Sequence, residues 1–376
     1  MHSTATEIDQ PSMSLASVTV PELESLLDNV RYVPKRVVHH AQHSGYDALF
    51  TALGMRQARS STFVRLARWI PKALAWRLWS MRPQPSQQAG LEAELAALPW
   101  VATGRGRLCH FIYGEDTFLF SPLWKRGSNR CVATLHYPPA VLPQRVNPGS
   151  LRALDAIIIV GENQRELLSG LVAQDRIHFC PHHVDTDFFC PAGPDTVEPG
   201  NLRLVCVGHL FRDYDTLLSV LRLLRTLYKH QVSLDIVGPQ EHSKHPLTTE
   251  PGVTVHQGID DEALRALYRN AAVGVLPLTD ATANNSLLEM MACGLAIVTT
   301  DVGGVRDYVQ CGGVASLPLG DSEGFARAVD ALLNDPKTRA IHAASNRAHA
   351  VREFSFVACA KKLAAIYAAV LSRSAA

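Results

Sequence analysis

Apolar positions in this chain fall into short continuous runs, each closed by glycine, proline or polar residues, and the runs alternate with stretches of helical period. In the C-terminal half the pattern is clear. Leu202–Gly208, Leu234–Val237, Val253–His256, Val273–Leu276, Ala296–Thr300 and Val314–Leu317 predict buried strands, with helices at Asp261–Asn270 and Ser322–Asn334 and an Ala-rich helical region through Val370. Strands that are apolar throughout, separated by helices, belong to a doubly wound sheet covered on both faces. The N-terminal half reads less sharply: Arg36–His40, Arg107–Phe111, Cys131–Leu135 and Ala156–Val160 predict strands, and His43-Ser44-Gly45-Tyr46-Asp47 a glycine turn before a helix near Ala48. Met1 to about Asp28 shows little periodicity and reads as a loose extension, and Pro83–Gly90 as a loop.

The stretch Leu276–Tyr308 organises the rest. Pro277 stops a strand, Thr279–Ser286 is polar, and Ser286 stands three residues before Glu289 with capping-box spacing, which predicts a helix over Leu287–Cys293 ending at Gly294. After the strand Ala296–Thr300, Gly303 and Gly304 permit a close backbone approach and open a further helix. Two helix N-termini then face one sheet edge with free N–H groups, an arrangement suited to a diphosphate. A capping role for Glu289 and a ligand-free turn at Gly303-Gly304 stand as the local alternatives.

Composition narrows the class. A length of 376 residues favours two domains, and a net charge of +1 with 47% hydrophobic residues describes a globular chain with no nucleic-acid signature. No segment reaches the roughly 18–20 apolar residues of a bilayer span, and the N-terminus lacks a basic region followed by an apolar core; the expectation is a cytoplasmic protein. Eight scattered cysteines, mostly inside apolar runs, suit buried thiols rather than disulfides. Cys180, His182, His183 and Cys190 lack the spacing of a zinc module, and Asp185-Thr186-Asp187 reads as a connecting loop, so no metal is expected. Residues 56–82 carry seven Arg or Lys and no acidic residue, interleaved with Trp69, Trp76 and Trp79. They have two readings: amphipathic helices on an anionic membrane surface, or a solvated basic face with its aromatics packed inward.

The polar loop, the glutamate-bearing helix, Ala292-x-Gly294-x-x-x-Val298 and Gly303-Gly304 resemble the donor-binding signature of the retaining, metal-independent GT-B glycosyltransferases of family 4. Pro181-His182-His183-Val184-Asp185-Thr186-Asp187-Phe188-Phe189-Cys190-Pro191 resembles the interdomain stretch of that family. The resemblance implies an α/β GT-B fold, with two Rossmann-like doubly wound domains facing across a cleft. It places an acceptor-binding domain at residues 31–195 after the 1–30 extension, a nucleotide-sugar-binding domain at 196–355, and a helix at 356–376 crossing back to the first domain.

The same resemblance implies a UDP- or GDP-sugar as co-substrate and a glycan or lipid-linked acceptor, with no other cofactor; on the membrane reading of residues 56–82 the protein would sit peripherally on the inner membrane face. Glu289 would take the ribose hydroxyls, Gly258-Ile259 the base, Gly208, Ser286, Leu287, Gly303 and Gly304 the diphosphate, and His136 would approach the sugar. The family glutamate eight positions before Glu289 is Ala281 here, leaving Asp280, Asn284 or Asn285 to supply polar contacts. Where the family carries an arginine and a lysine after the first glycine, this chain has His209 and Tyr214, leaving Arg212 as the guanidinium for phosphate. His136, Arg212 and Asn284 are therefore the candidate catalytic residues. Two alternatives remain: a sugar-nucleotide epimerase or phosphorylase on this architecture, and a non-catalytic binding subunit.

Overall fold

The computed structural model describes residues 17–34, 42–58, 88–118, 120–193, 200–238 and 245–373. Two parallel sheets organise them. The first contains β1 (Val30–Val33), β2 (Leu108–Phe111), β3 (Arg130–Leu135), β4 (Ala156–Ile159) and β5 (Ile177–Phe179), paired in that order. The second contains β6 (Arg203–Val207), β7 (Ser233–Val237), β8 (Val253–His256), β9 (Val273–Leu276), β10 (Ala296–Thr300) and β11 (Val314–Leu317), in the order β11-β10-β9-β6-β7-β8. Strand order reverses between β6 and β9, so a crevice opens there beyond the carboxyl ends of the strands. β9 and β10 are buried along their whole length, as their continuous apolar sequences require.

The first sheet is covered on one face by residues around the helix Gln88–Ala102, and on the other by the helix Phe356–Ser372. Cys359, Ala360, Leu363, Tyr367 and Val370 pack into the cluster that holds Leu108, Val132 and Ile158. The last helix therefore crosses back and completes the core of the first domain. His110 on β2 fixes it, with Nδ1 2.6 Å from Tyr367 Oη and Nε2 2.7 Å from Thr134 Oγ1.

Several expectations change. Residues 17–29 are not a loose extension, because Val20 and Leu23 are buried in the first core. The strand expected at Arg36–His40 lies outside the described residues, as does most of the basic stretch 56–82, and the described sheet begins at Val30. Gln88–Ala102 is helical from inside the expected loop. The Ala-rich region is two helices, Pro336–His349 and Phe356–Ser372, separated by a π-helical turn at Ala350–Phe354 and capped anew by Ser355. All eight cysteines are free thiols, and among the described residues no helix is long and apolar enough to cross a membrane.

Candidate active site at the interdomain cleft

The crevice between β6 and β9 is built from two turns. β6 ends at Val207, and Gly208 follows with φ +96°, where a Cβ would collide with the Arg212 guanidinium. That turn folds Arg212 back: Nε donates to Val207 O at 2.8 Å and Nη1 to Leu210 O at 3.0 Å, while Nη2 lies 3.4 Å from Asn284 Oδ1 and 3.3 Å from Ser286 Oγ. Arg212 also bridges Leu278, beyond the end of β9. A guanidinium held by carbonyls on one edge and by an amide and a hydroxyl on another keeps its charge at the crevice mouth.

Asn284, not Ser286, caps the helix. Its backbone is extended at φ −145°, its Oδ1 accepts the Leu287 N–H at 3.1 Å, and the helix runs over Asn285–Ala292, two residues earlier than expected. Ser286 is thereby left to meet Arg212. The capping box does not form, because Glu289 is turned into the protein and accepts hydrogen bonds from Ser44 Oγ of the first domain and, at 2.6 Å, from Tyr268 Oη. Burial raises the Glu289 carboxyl pKa, and those two hydrogen bonds oppose the rise.

The Gly303-Gly304 expectation also needs correction. Gly303–Asp307 is a five-residue 3-10 turn rather than a longer helix, and the Gly304 N–H donates to Ala281 O at 2.9 Å. A Cβ on either glycine would strike the carbonyls of Ala281 or Thr282, so close backbone approach explains both. Asn163 of the first domain reaches the same strip, donating from Nδ2 to Ala281 O at 3.0 Å. Asp280 folds onto its own backbone and accepts the Ala281 N–H at 2.8 Å. Gly258 and Ile259 lie in the turn after the edge strand β8, close to Asp261, whose Oδ2 accepts the Gln42 N–H at 2.6 Å and the His43 N–H at 3.2 Å.

The first domain faces this edge with rings. His136, just after β3, stacks on Tyr113 at 4.8 Å between centroids and lies 4.3 Å from Tyr46 and 5.1 Å from His182. His182 continues the path, its Nδ1 donating to Asn285 Oδ1 at 2.7 Å, while Asn285 Nδ2 donates to Ser44 O at 2.9 Å. Arg212, Asn284, Asn285 and His136 are thus brought to one seam through His182. Gly303 and Gly304 lie against Ala281 and Thr282, in the loop that leads to Asn284.

Sequence reading had missed the roles of Ser44, Glu115, Tyr268 and His182. Glu115 carries a signal as a polar residue beyond the end of a parallel strand, Ser44 by its place in the glycine turn before Ala48, and His182 by its place in the interdomain stretch. His182, His183 and Cys190, weighed above as metal ligands, serve the seam and its surroundings: His183 Nε2 meets Gly45 O at 3.0 Å, and Cys190 Sγ takes a hydrogen bond from Arg269 at 3.1 Å.

Two parallel-sheet Rossmann-like domains facing across a cleft, with a terminal helix returning to the first, define the GT-B glycosyltransferase fold. Sucrose-phosphate synthase from Thermosynechococcus elongatus shares it, with a TM-score of 0.61 and 18% identity over 81% of each chain. So does Anabaena HepE solved in complex with UDP, with a TM-score of 0.56 and 14% identity over 70% of this chain and 78% of that one. Within that fold, residues 201–335 match the family model of the glycosyl transferases group 1. The alpha-maltose-1-phosphate synthase of Mycobacterium tuberculosis is 27% identical over 255 residues, 59% of this chain. The match spans 65% of that relative's own length.

Proposed function

We propose that the protein is a glycosyltransferase that takes a sugar from a nucleotide diphosphate donor held by the second domain and passes it to a hydroxyl presented by the first. The observation that carries this reading is the cluster of Arg212, Asn284 and Ser286 at the strand-order reversal, linked through Asn285 and His182 to His136. As the bond from the anomeric carbon to the diphosphate breaks, charge grows on the leaving phosphate. Arg212 and the N-terminus of the helix Asn285–Ala292 are the groups suited to stabilise it. The acceptor oxygen would form the new bond on the same face, its proton passing to the departing phosphate oxygen, which gives retention as the family resemblance implies.

UDP is the favoured nucleotide, since a neighbour of the same fold was solved with it. Glu289 would meet ribose only after exchanging its bond to Ser44. A glycan or lipid-linked acceptor fits the family reading, and a lipid-linked one would give residues 56–82 a membrane role. The test is a panel of UDP-, GDP- and ADP-sugars, scored by thermal shift and turnover. Stabilisation by UDP or a UDP-sugar that disappears in Arg212→Ala supports the donor site, and an equal shift in both proteins overturns it.

A second reading, a non-catalytic binding subunit, draws on the occupied oxygens of Glu289 and on Ala281, which is buried where the family has a glutamate. It predicts no turnover with any donor and acceptor pair. Conversion of the donor's sugar with no acceptor added would point to an epimerase.

A further inference from the structure

Beyond the donor site, the first domain contains a carboxylate that the function above does not use. Glu115 follows β2 at the start of the short helix Gly114–Thr117, and it is buried, 2% exposed. Its Oε1 accepts two backbone N–H groups from the turn after β3, those of His136 and, at 2.9 Å, Tyr137. Its Oε2 lies 3.4 Å from His136 Nδ1. A carboxylate in this position only accepts, so the pairing puts the imidazole proton on Nδ1 and leaves a lone pair on Nε2.

The His136 side chain is only 7% exposed, and among the described residues its Nε2 has no hydrogen-bond partner. It borders a small cavity also lined by Tyr46, His110, Thr134 and His182, and no lysine or arginine is among the described residues lining it. A lone pair beside a carboxylate, with no cation near, accepts from a hydroxyl and repels a phosphate.

We propose that Glu115 is a positioning residue that fixes the tautomer of His136, so that Nε2 accepts a hydrogen bond from a hydroxyl of an uncharged sugar unit at the cleft. This deepens the glycosyltransferase reading and rests on it for the identity of the ligand, while the tautomer itself is independent of that reading. Glu115→Gln provides a near-isosteric test. The two backbone N–H groups at Oε1 hold the Gln carbonyl in that place, which turns its amide –NH2 toward Nδ1 and forces the proton onto Nε2.

The full chain, labelled with 15N-histidine and assigned through His136→Gln, should show an Nδ1–H tautomer at position 136 in the native protein and an Nε2–H tautomer in Glu115→Gln. Thermal midpoints should agree within about 3 °C. With UDP-glucose as the probe, slow donor hydrolysis should fall at least tenfold in kcat, while KM and the UDP thermal shift stay within twofold. The same tautomer in both proteins overturns the proposal, as does an unchanged kcat. A flipped tautomer in a protein that UDP never stabilises supports the Glu115 assignment and removes the donor reading instead. Glu115→Asp, one methylene shorter but still accepting, should keep the Nδ1–H tautomer; an Nε2–H signal there also overturns the proposal.

Discussion

The second domain meets the cleft with one guanidinium, two asparagines and a helix end, whereas the first meets it with tyrosine rings, histidines and one buried glutamate. On the proposed function the second would hold the anion: Arg212 is pinned by backbone carbonyls and reaches Asn284 and Ser286. The first offers neutral donors and acceptors on aromatic walls, the surface that hydroxyl-rich ligands use. Division of labour across the cleft follows from these side chains alone. They also differ in how they are assembled, since the second domain's polar groups lie on two turns of one sheet, while those of the first come from loops after several strands.

The severest way to break the comparison is to remove residues 356–372. Cys359, Leu363, Tyr367 and Val370 lie in the first core, and at about 1.5–3 kcal/mol for each large apolar side chain the loss rivals a typical domain stability of roughly 5–15 kcal/mol. Hydrogen exchange should show β1–β5 unprotected while β6–β11 keep protection. Equal loss in both sheets would make the two domains a single cooperative unit.

Acid should act next and in the same direction. Burial lowers the His110 pKa to about 3 and that of His183 to about 4. Below the ordinary value of 6.5, the unfolded chain therefore takes protons that the folded one refuses. Stability from these groups is complete above about pH 6.5 and falls as pH drops toward 4 and then 3, by roughly 4 kcal/mol for His110 over the whole interval. Urea midpoints measured from pH 7 to pH 4 should fall, and His110→Gln should flatten that fall.

Arg212→Ala tests the anionic side. Turnover per KM should drop by roughly a hundredfold, in the range seen when one donor to a developing oxyanion is lost. Arg212→Lys, which keeps charge but not the fork, should recover only part of the loss.

The smallest expected effect is that of Ser44→Ala at the seam between the domains. Removing one hydrogen bond to Glu289 should cost about 1 kcal/mol, and UDP should bind somewhat more tightly because one carboxylate oxygen is no longer engaged. Weaker UDP binding would make Ser44 part of the nucleotide site.

The unequal legibility of the two halves has the same origin. In the second domain β8, β9, β10 and β11, with the helices Asp261–Asn270 and Ser322–Asn334, fall on the residues expected, because apolar runs are flanked by caps at Asp260 and Asp321. Two local expectations differ there: the helix expected after Gly303-Gly304 is a short 3-10 turn, and Ser286 is displaced as cap by Asn284, two good caps standing two residues apart where the Glu289 spacing favours the wrong one. β1 lacks a continuous apolar run because Arg31 interrupts it, and β5 has only three residues with His178 at its centre. At the site, Ser44 and Glu289 are 245 residues apart and His182 and Asn285 are 103 apart. Pairings of that range leave no trace in local pattern. His136 is visible by its place after β3 and Glu115 by its place after β2, but nothing local shows that the two meet, 21 residues apart.

Translation gives the returning helix a temporal meaning. A nascent chain emerges from the ribosome with Leu108, Val132 and Ile158 ready on one face of β2, β3 and β4, yet the side chains that cover them belong to residues 356–372. The half made first therefore finishes last. Through synthesis of the entire second domain it exposes an oily sheet face, and holdase chaperones should engage it in that interval.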